Sequence, residues 1–176
     1  MATGQAAVLE DYQRRARVGK RLFVAQHPHL FLVRAAAVVP AVDEWSDPMD
    51  FDTRVEHDAG DPDADSDPLW THDGGLIIAP VVKRAGGPYP ERFGVGRARN
   101  CDVVVRFPAV SKLHALFELG PPLTLLDLGS ANGTRVNGEQ LLPRVPRAVA
   151  VGDRIALGPV ELELLDAAAL FELLAA

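Results

Sequence analysis

The sequence predicts a mostly β fold, a sandwich or a barrel, and two observations lead to it. From residue 75 onward, short apolar runs are separated by Gly, Pro and Asn, as in folds built from many short strands. Within Val160–Leu164, apolar and charged residues alternate with the period of a half-buried strand. The predicted strands are Leu76–Ile78, Val81–Val82, Arg92–Val95, Asp102–Val105, His114–Leu119, Leu123–Leu128, Thr134–Val136, Arg154–Leu157 and Val160–Leu164.

Helical patterns flank this region on both sides. At the N-terminal side, apolar residues recur at helical spacing on one face, with arginines interspersed; they are Val8, Leu9, Tyr12, Ala16, Gly19 and Phe23. Thr3 is the expected N-cap, and Pro28 should end this helix near Gln26. Leu30–Val33 is too short for a helix and suits a strand, whereas Ala167–Leu174 is predicted as a short C-terminal helix.

The charge is unevenly distributed and divides the chain into three parts. Residues 1–42, the helix and strand segment, carry a net charge of +4 and are expected to pack on the rest. Residues 43–68 hold eleven acids and one arginine, and are predicted to be an acidic flexible linker. Residues 69–176 hold eleven acids and eleven Lys/Arg, and form the predicted β region with its C-terminal helix.

Composition excludes several classes of function. The β region has no basic excess to hold a nucleic acid. No apolar run approaches the length of a membrane span, and the charged N-terminus is unlike a signal peptide. The single cysteine, Cys101, excludes an intrachain disulfide and a multi-cysteine zinc site. We therefore expect a cytoplasmic location, no metal and no cofactor.

Three loop features in the β region carry groups that suit an anion. Gly96-Arg97 ends one strand, Ser111-Lys112 precedes another, and residues 129–138 contain two Asn-Gly pairs. Arginine supplies a planar fork of donors, serine a hydroxyl, lysine a point charge and asparagine an amide. Taken singly, each is an ordinary surface arginine, turn serine or hairpin turn. Together they predict an anion site assembled from loops.

The sequence resembles the forkhead-associated (FHA) domain family over about residues 76–165. The matching segments are Gly96-Arg97, Cys101-Asp102, Val103–Val105, Val110–Ala115, Asp127–Gly138, Gly152–Ile155 and Leu157-Gly158. FHA domains are β-sandwiches of two sheets whose loops at one end bind phosphothreonine peptides. The resemblance therefore implies a two-sheet antiparallel β-sandwich, flanked here by the N-terminal helical segment and the short C-terminal helix.

The resemblance also implies residue roles. It makes Arg97 and Ser111 phosphate ligands, Lys112 a further basic contact, and Asn132 the residue that hydrogen-bonds the peptide main chain. Ala131 departs from the family, in which a serine or threonine is common at that position. The remaining predicted residues are auxiliary (Arg99, Ala131, Arg135) or architectural (Gly96, His114, Gly133, Asn137, Gly138).

An enzyme is not expected. No nucleophile elbow surrounds Ser111, and the strand that starts near His114 should point its ring away. Cys101 is interpreted as a small core residue.

The sequence thus predicts an adaptor in Ser/Thr kinase signalling that binds phosphothreonine-containing proteins. Its partners are expected to be a Ser/Thr kinase or the substrates of one. The alternative is an FHA scaffold that holds a partner without phosphate. A further hypothesis is self-binding through the acidic linker, with phosphorylated Thr53, or else Thr71, as the ligand.

Overall fold

The structure is a computed structural model that describes residues 9–34, 77–85, 89 and 91–175, with side chains from residue 11 onward. Thr3, Val8, the acidic segment 43–68 with Thr53, and Thr71 lie outside the described residues. Within the described ranges no helix is long and apolar enough to cross a membrane.

The described residues form three helices and eleven strands. The N-terminal elements are α1 (Leu9–Ala16), α2 (Lys20–Gln26) and β1 (Leu30–Arg34), and the last element is α3 (Ala167–Ala175). The strands between them are β2 (Ile77–Val81), β3 (Phe93–Gly96), β4 (Val103–Val104), β5 (Ala115–Glu118), β6 (Thr124–Asp127), β7 (Thr134–Val136), β8 (Glu139–Gln140), β9 (Arg147–Ala148), β10 (Arg154–Leu157) and β11 (Val160–Leu165).

The strands form two sheets. The first sheet has the order β2-β1-β11-β10-β7-β8 and the second the order β4-β3-β5-β6-β9. Strands β3 and β4 run parallel, with Val95 opposite Val103, and the other strand pairs of the described chain are antiparallel. The predicted two-sheet sandwich is confirmed, with this one parallel pair in addition.

The core between the sheets follows from the alternation of the strands. In β11, Val160, Leu162 and Leu164 are buried, whereas Glu161 and Glu163 are exposed. Successive side chains of a strand point to opposite faces, so the period in the sequence becomes one apolar face. Residues of both sheets fill this core; among them are Leu32, Val95, Phe117, Leu125 and Ile155.

A second apolar cluster covers the outer face of the first sheet. Its members come from the helices and from strands β1, β2 and β11; they are Tyr12, Phe23, Phe31, Val33, Ile78, Leu165, Ala167 and Leu170. In β1, Leu32 joins the sandwich core while its neighbours Phe31 and Val33 join this outer cluster. Strand β1 is therefore buried on both faces.

Strand β1 lies inside the first sheet rather than beside it. Phe31 pairs with Leu165 of β11 on one side and with Pro80 of β2 on the other. Arg34 and Ile77, which flank residues 35–76, are paired with each other. The division into residues 1–42, 43–68 and 69–176 stays a prediction. The pairing of β1 with β2 and β11 joins the first of these parts to the third.

The N-terminal helical pattern gives two helices instead of one. The chain turns at Arg17 and Val18, and Gly19 has a φ of 100° before α2 begins. A φ in this range suits glycine, which explains why the helix stops there although the apolar spacing continues to Phe23.

Three other elements differ from the prediction. The two runs predicted at Leu76–Ile78 and Val81–Val82 are replaced by the single strand β2, Ile77–Val81, and Leu76 lies outside the described residues. Strand β2 is an edge strand of its sheet, a position that tolerates Pro80. The two-residue strands β8 and β9 were not predicted, since their four residues are all exposed and lack an apolar period.

Candidate functional site

The three predicted loop features meet at one end of the sandwich. Strand β3 ends at Gly96, β5 begins at Ala115, and β6 ends at Asp127, and these strands are antiparallel neighbours. In the first sheet, Thr134 at the start of β7 is opposite Leu157. The loops that carry Arg97, Ser111 and Asn132 therefore leave the same end.

Backbone hydrogen bonds join the Arg97 and Ser111 loops. The N–H of Arg97 donates to the carbonyl of Ser111 at 2.9 Å, and Ala98 donates to Lys112 at 3.0 Å. The Arg97 guanidinium also donates, from Nε, to the carbonyl of Val110 at 3.3 Å. These bonds fix the backbone of Arg97 and the Nε atom of its guanidinium group relative to the Ser111 loop.

Gly96 permits this close approach. A Cβ on Gly96 would lie 2.9 Å from the Cα of Leu113 and would collide with the Lys112 carbonyl oxygen. Because backbone atoms of residues 112 and 113 fill the space, any side chain would separate the two loops.

The Ser111 and Asn132 loops are joined by side chains. Ser111 Oγ accepts a hydrogen bond from the N–H of Ala131 at 3.1 Å. Asn132 Nδ2 donates to the carbonyl of Ala109 at 2.8 Å. Ser111 retains its O–H as a donor, and Asn132 retains its carbonyl oxygen and a second N–H.

His114 connects all three loops from inside the protein. Its side chain is fully buried. Nδ1 accepts from the N–H of Ser111 at 3.2 Å, and Nε2 lies 3.1 Å from the carbonyl of Gly133. Its own N–H donates to Val95, and its carbonyl accepts from Leu128. Burial lowers the pKa of His114, although the hydrogen bond to the Gly133 carbonyl and the negative charge of Asp127 act to raise it, so the ring is neutral. Because Nδ1 accepts from Ser111, the proton of the neutral ring is on Nε2.

The expectation that the His114 ring points away from Ser111 is wrong. The ring faces the backbone N–H of Ser111, because this loop folds back over the start of β5. The Ser111 hydroxyl, however, bonds Ala131 and not the imidazole. The two side chains thus do not form a serine–histidine nucleophile pair in this structure.

Asp127 is a site residue that the sequence reasoning did not single out. Its buried carboxylate accepts hydrogen bonds from the N–H groups of Gly129 and Ser130 and from the hydroxyls of Ser130 and Thr134, at 2.6–3.1 Å. Burial raises the pKa of Asp127, but these four bonds outweigh it and hold the pKa below its usual value. Its position at a strand end, before Leu-Gly-Ser, was the available signal.

A second buried carboxylate supports the start of β3. Asp102 accepts from the N–H of Gly94, from Lys83 Nζ and from the N–H of Arg84, each at 2.8 Å. The adjacent Cys101 is buried, and its thiol donates to the Lys112 carbonyl at 3.2 Å. Cys101 thus packs beneath the backbone of the loop that carries Lys112, in agreement with its interpretation as a core residue.

The predicted auxiliary residues differ in position. Lys112 and Ala131 are exposed on the joined loops, and Arg99 is half-buried, with its carbonyl accepting from Arg84. Arg135 instead donates to the carbonyl of Gly158 at 3.3 Å and lines an open groove of about 320 Å³ on the first sheet.

Two of the predicted architectural residues lie at the far end of β7. Asn137 and Gly138 both have positive φ, and Asn137 hydrogen-bonds Asp153 and the N–H of Arg154, each at 2.9 Å. They brace the opposite end of the sandwich. Gly133 belongs to the site: its carbonyl accepts from His114 and from the N–H of Gly158.

Comparisons with known proteins show what part of the chain is similar to a known family. Residues 93–158 match the family model "FHA domain". Human Kanadaptin is 35% identical over 75 residues, which cover 36% of this chain but only 10% of Kanadaptin. The structure of Mycobacterium tuberculosis EmbR in complex with a low-affinity phosphopeptide is 27% identical in sequence, with a TM-score of 0.39. This match covers 43% of this chain and 20% of the EmbR chain.

A structure of the FhaA FHA domain in complex with the intracellular domain of Rv3910 is 26% identical, with a TM-score of 0.40. This match covers 55% of this chain and 93% of the FhaA domain chain. The matched segment of 93–158 includes the three joined loops, with Arg97, Ser111 and Asn132. Residues 93–158 are therefore similar to the FHA domain family.

Proposed function

We propose that this chain is a phosphothreonine-dependent protein-binding module and acts as an adaptor in Ser/Thr kinase signalling. The observation that carries the proposal is the joining of the three loops, which brings Arg97, Ser111 and Asn132 to one end of the FHA domain. Each of the three residue types suits part of a phosphopeptide.

The chemistry divides among the three residues. The Arg97 fork and the Ser111 hydroxyl donate to phosphate oxygens, and the exposed Lys112 adds positive charge. The Asn132 carbonyl oxygen accepts from a peptide N–H. Threonine is favoured over serine, because the resemblance to FHA domains implies a small pocket for its γ-methyl group.

The proposed partner is a Ser/Thr kinase or a substrate of one. In this proposal the chain only binds, and it has no enzymatic activity, cofactor or nucleic acid ligand of its own. The location is the cytoplasm, where Cys101 stays reduced.

A phosphothreonine peptide library tests the proposal on the full chain. Two contacts to the phosphate are each worth roughly 1.5–3 kcal/mol, so Arg97→Ala should weaken the selected peptide at least about tenfold. Ser111→Ala should have a smaller effect. The matched control is Arg154→Ala, an exposed arginine of the first sheet, which should leave the affinity unchanged. Equal affinity for phosphorylated and unphosphorylated peptides would contradict the proposal.

A second candidate is an FHA scaffold that holds its partner without phosphate. The observation in its favour is that Ser111 Oγ and Asn132 Nδ2 already bond Ala131 and Ala109 within the protein. If these side chains served only to join loops, Ser111→Ala would lower the melting temperature without changing any phosphate preference.

Self-binding through the acidic segment is a further part of the proposal. Strand β1 runs toward the end of the first sheet where β10 ends at Leu157 and β11 begins at Val160. Gly158, between them, donates to the Gly133 carbonyl of the site. Arg34 and Ile77 hold the two ends of residues 35–76 on the side of β1 and β2 that faces the site end, and a tether of this length gives roughly millimolar effective concentration.

The test compares peptide affinity after kinase treatment of the unchanged chain and of Thr53→Ala. Self-occupancy by phosphorylated Thr53 requires the unchanged chain to bind more weakly at every protein concentration, and Thr71→Ala tests the other threonine. Equal affinities in all three proteins would exclude self-binding.

A further inference from the structure

The chain between β8 and β9 exposes apolar side chains in an ordered loop. Leu142 is 70% exposed and Val145 is 50% exposed, although the nearby Leu141 and Val149 are buried. We call residues 141–146 the leucine loop. Leaving two apolar side chains in water forgoes the stabilisation that their burial would give.

The backbone of the leucine loop is held at three points. Leu141 donates to the carbonyl of Thr134 at 2.9 Å, Arg144 donates to that of Asp127 at 2.7 Å, and Val145 donates to that of Leu142 at 3.2 Å. Pro143 and Pro146 each fix their own φ. The two side chains are therefore presented on a defined backbone, which reduces the entropy that a partner must remove on binding.

Arg144 shows that this conformation is imposed. Among the described residues, Asn137 and Arg144 are the non-glycine residues with positive φ, and that of Arg144 is 63°. Asparagine tolerates this region, whereas a long side chain such as arginine enters it at a cost. Such strain persists where the surroundings enforce it, and it concentrates at functional surfaces.

The two anchors of the leucine loop are also the two ends of the Asn132 loop. Asp127 and Thr134 close that loop through a 2.6 Å bond between the Asp127 carboxylate and the Thr134 hydroxyl. The leucine loop is thus continuous with the proposed phosphopeptide site. Another exposed leucine, Leu119, follows β5 at the opposite end of the sandwich and is 45% exposed.

We propose that Leu142 and Val145 form a docking surface for an apolar side chain of the same partner that places its phosphothreonine at Arg97 and Ser111. The proposal rests on the proposed function, and it adds a requirement on the partner: an apolar residue outside the phosphate contact. A partner with only a phosphothreonine in a polar sequence would leave the leucine loop in water.

The experiment uses the full chain and a phosphothreonine library with about ten degenerate positions on each side, roughly 33 Å of extended chain. The unphosphorylated library is screened in parallel. The variants are Leu142→Ser with Val145→Ser, and Leu119→Ser as the matched control. All these side chains are exposed, so melting temperatures should be unchanged, and Leu142→Ala with Val145→Ala replaces the double variant if it melts lower.

The unchanged chain should enrich Leu, Ile, Val, Met or Phe at one or more positions by about tenfold, the effect of burying one apolar side chain. The double variant should lose this enrichment and keep the preference for phosphate, while Leu119→Ser keeps both. Absence of apolar enrichment in the unchanged chain, or its persistence in the double variant, would overturn the inference. Loss of the phosphate preference in every protein would instead refute the proposed function, since the two preferences are separate readouts.

Discussion

The loop end of the sandwich and its helical layer are held together by different forces. At the loop end, residues 95–98, 109–114 and 127–134 are joined by hydrogen bonds to backbone groups and to the Asp127 carboxylate. In the helical layer, rings pack on rings: Phe23 lies 4.7 Å from His27, and His29 lies 4.7 Å from Phe31, between ring centroids.

This difference predicts how each region fails. Hydrogen bonds are directional, so the loss of one bond at the loop end should displace a ligand group and reduce binding. Apolar packing contributes through buried area, so the loss of one side chain from the helical layer should reduce stability and leave the loops in place.

The largest expected effect is that of removing β1. Deletion of residues 1–35 removes a strand that is paired on both sides and buried on both faces, so we expect no cooperative unfolding transition. Deletion of residues 1–28 keeps β1 but exposes Phe31 and Val33, and should give a folded domain that melts at a lower temperature. Thermal melting by circular dichroism distinguishes the two, and a 1–35 deletion that melts like the full chain would contradict the prediction.

Phe23→Ala should come next in size. The ring of Phe23 in α2 is fully buried and packs against His27 and Phe171, and its loss should cost about 3–5 kcal/mol of unfolding free energy. Phosphopeptide affinity of the folded fraction should not change. Leu22→Ala, at a half-exposed position of the same helix, is the control and should cost much less. A change in the phosphopeptide affinity of Phe23→Ala would mean that the helical layer and the loop end are coupled.

Asp127→Ala should affect both stability and binding. The buried hydroxyl of Thr134 and the partly buried donors of Gly129 and Ser130 lose their acceptor, at a cost of about 1–3 kcal/mol, and the Asn132 loop is released. The free energy of unfolding, measured by denaturant titration, and the phosphopeptide affinity should both decrease. Asp153→Ala removes a carboxylate that braces the other end, and should leave affinity unaltered. If Asp127→Ala bound peptide normally, the carboxylate would not position the loop.

The smallest effect is expected from pH on the helical layer. Burial lowers the pKa of His27 and of His29, with Arg15 adding to the effect on His27 and Asp11 opposing it. Because both pKa values are below their ordinary value of 6.5, the unfolded chain binds protons first. Their contribution to stability is therefore complete above pH 6.5 and decreases as the pH falls through the lowered values.

The pKa of His114 is also lowered, so this residue adds a pH dependence of stability at the loop end. Variants are therefore needed to separate the contribution of the helical layer. Unfolding free energy is measured at about pH 7.5 and pH 5, on either side of the ordinary histidine pKa, for the unchanged chain and for His27→Phe with His29→Phe. The double variant should lose less stability on acidification. An equal loss would assign the pH dependence to His114 or to other groups.

The sequence predicted the local features of this fold better than the long-range ones. Strand β11 could be recognised because its apolar and charged residues alternate, and Arg97, Ser111 and Asn132 because their motifs are short and contiguous. The place of β1 in the sheet could not be predicted, since the partners of Leu32, Ala79 and Leu164, are 47 and 132 residues away along the chain. The bonds from Asn132 to Ala109 and from Ala131 to Ser111 likewise depend on folding that brings distant segments together.

The position of β1 also has a consequence for how the protein reaches its native state. Its neighbours β2 and β11 are distant in sequence, and folds dominated by such pairings form slowly. On a ribosome, Leu30–Arg34 emerges long before Val160–Leu165, the strand that completes its pairing. Until then Phe31, Leu32 and Val33 have no complete sheet to enter, and they are exposed to other chains. Expression yield should therefore depend on how this short apolar strand is protected during synthesis.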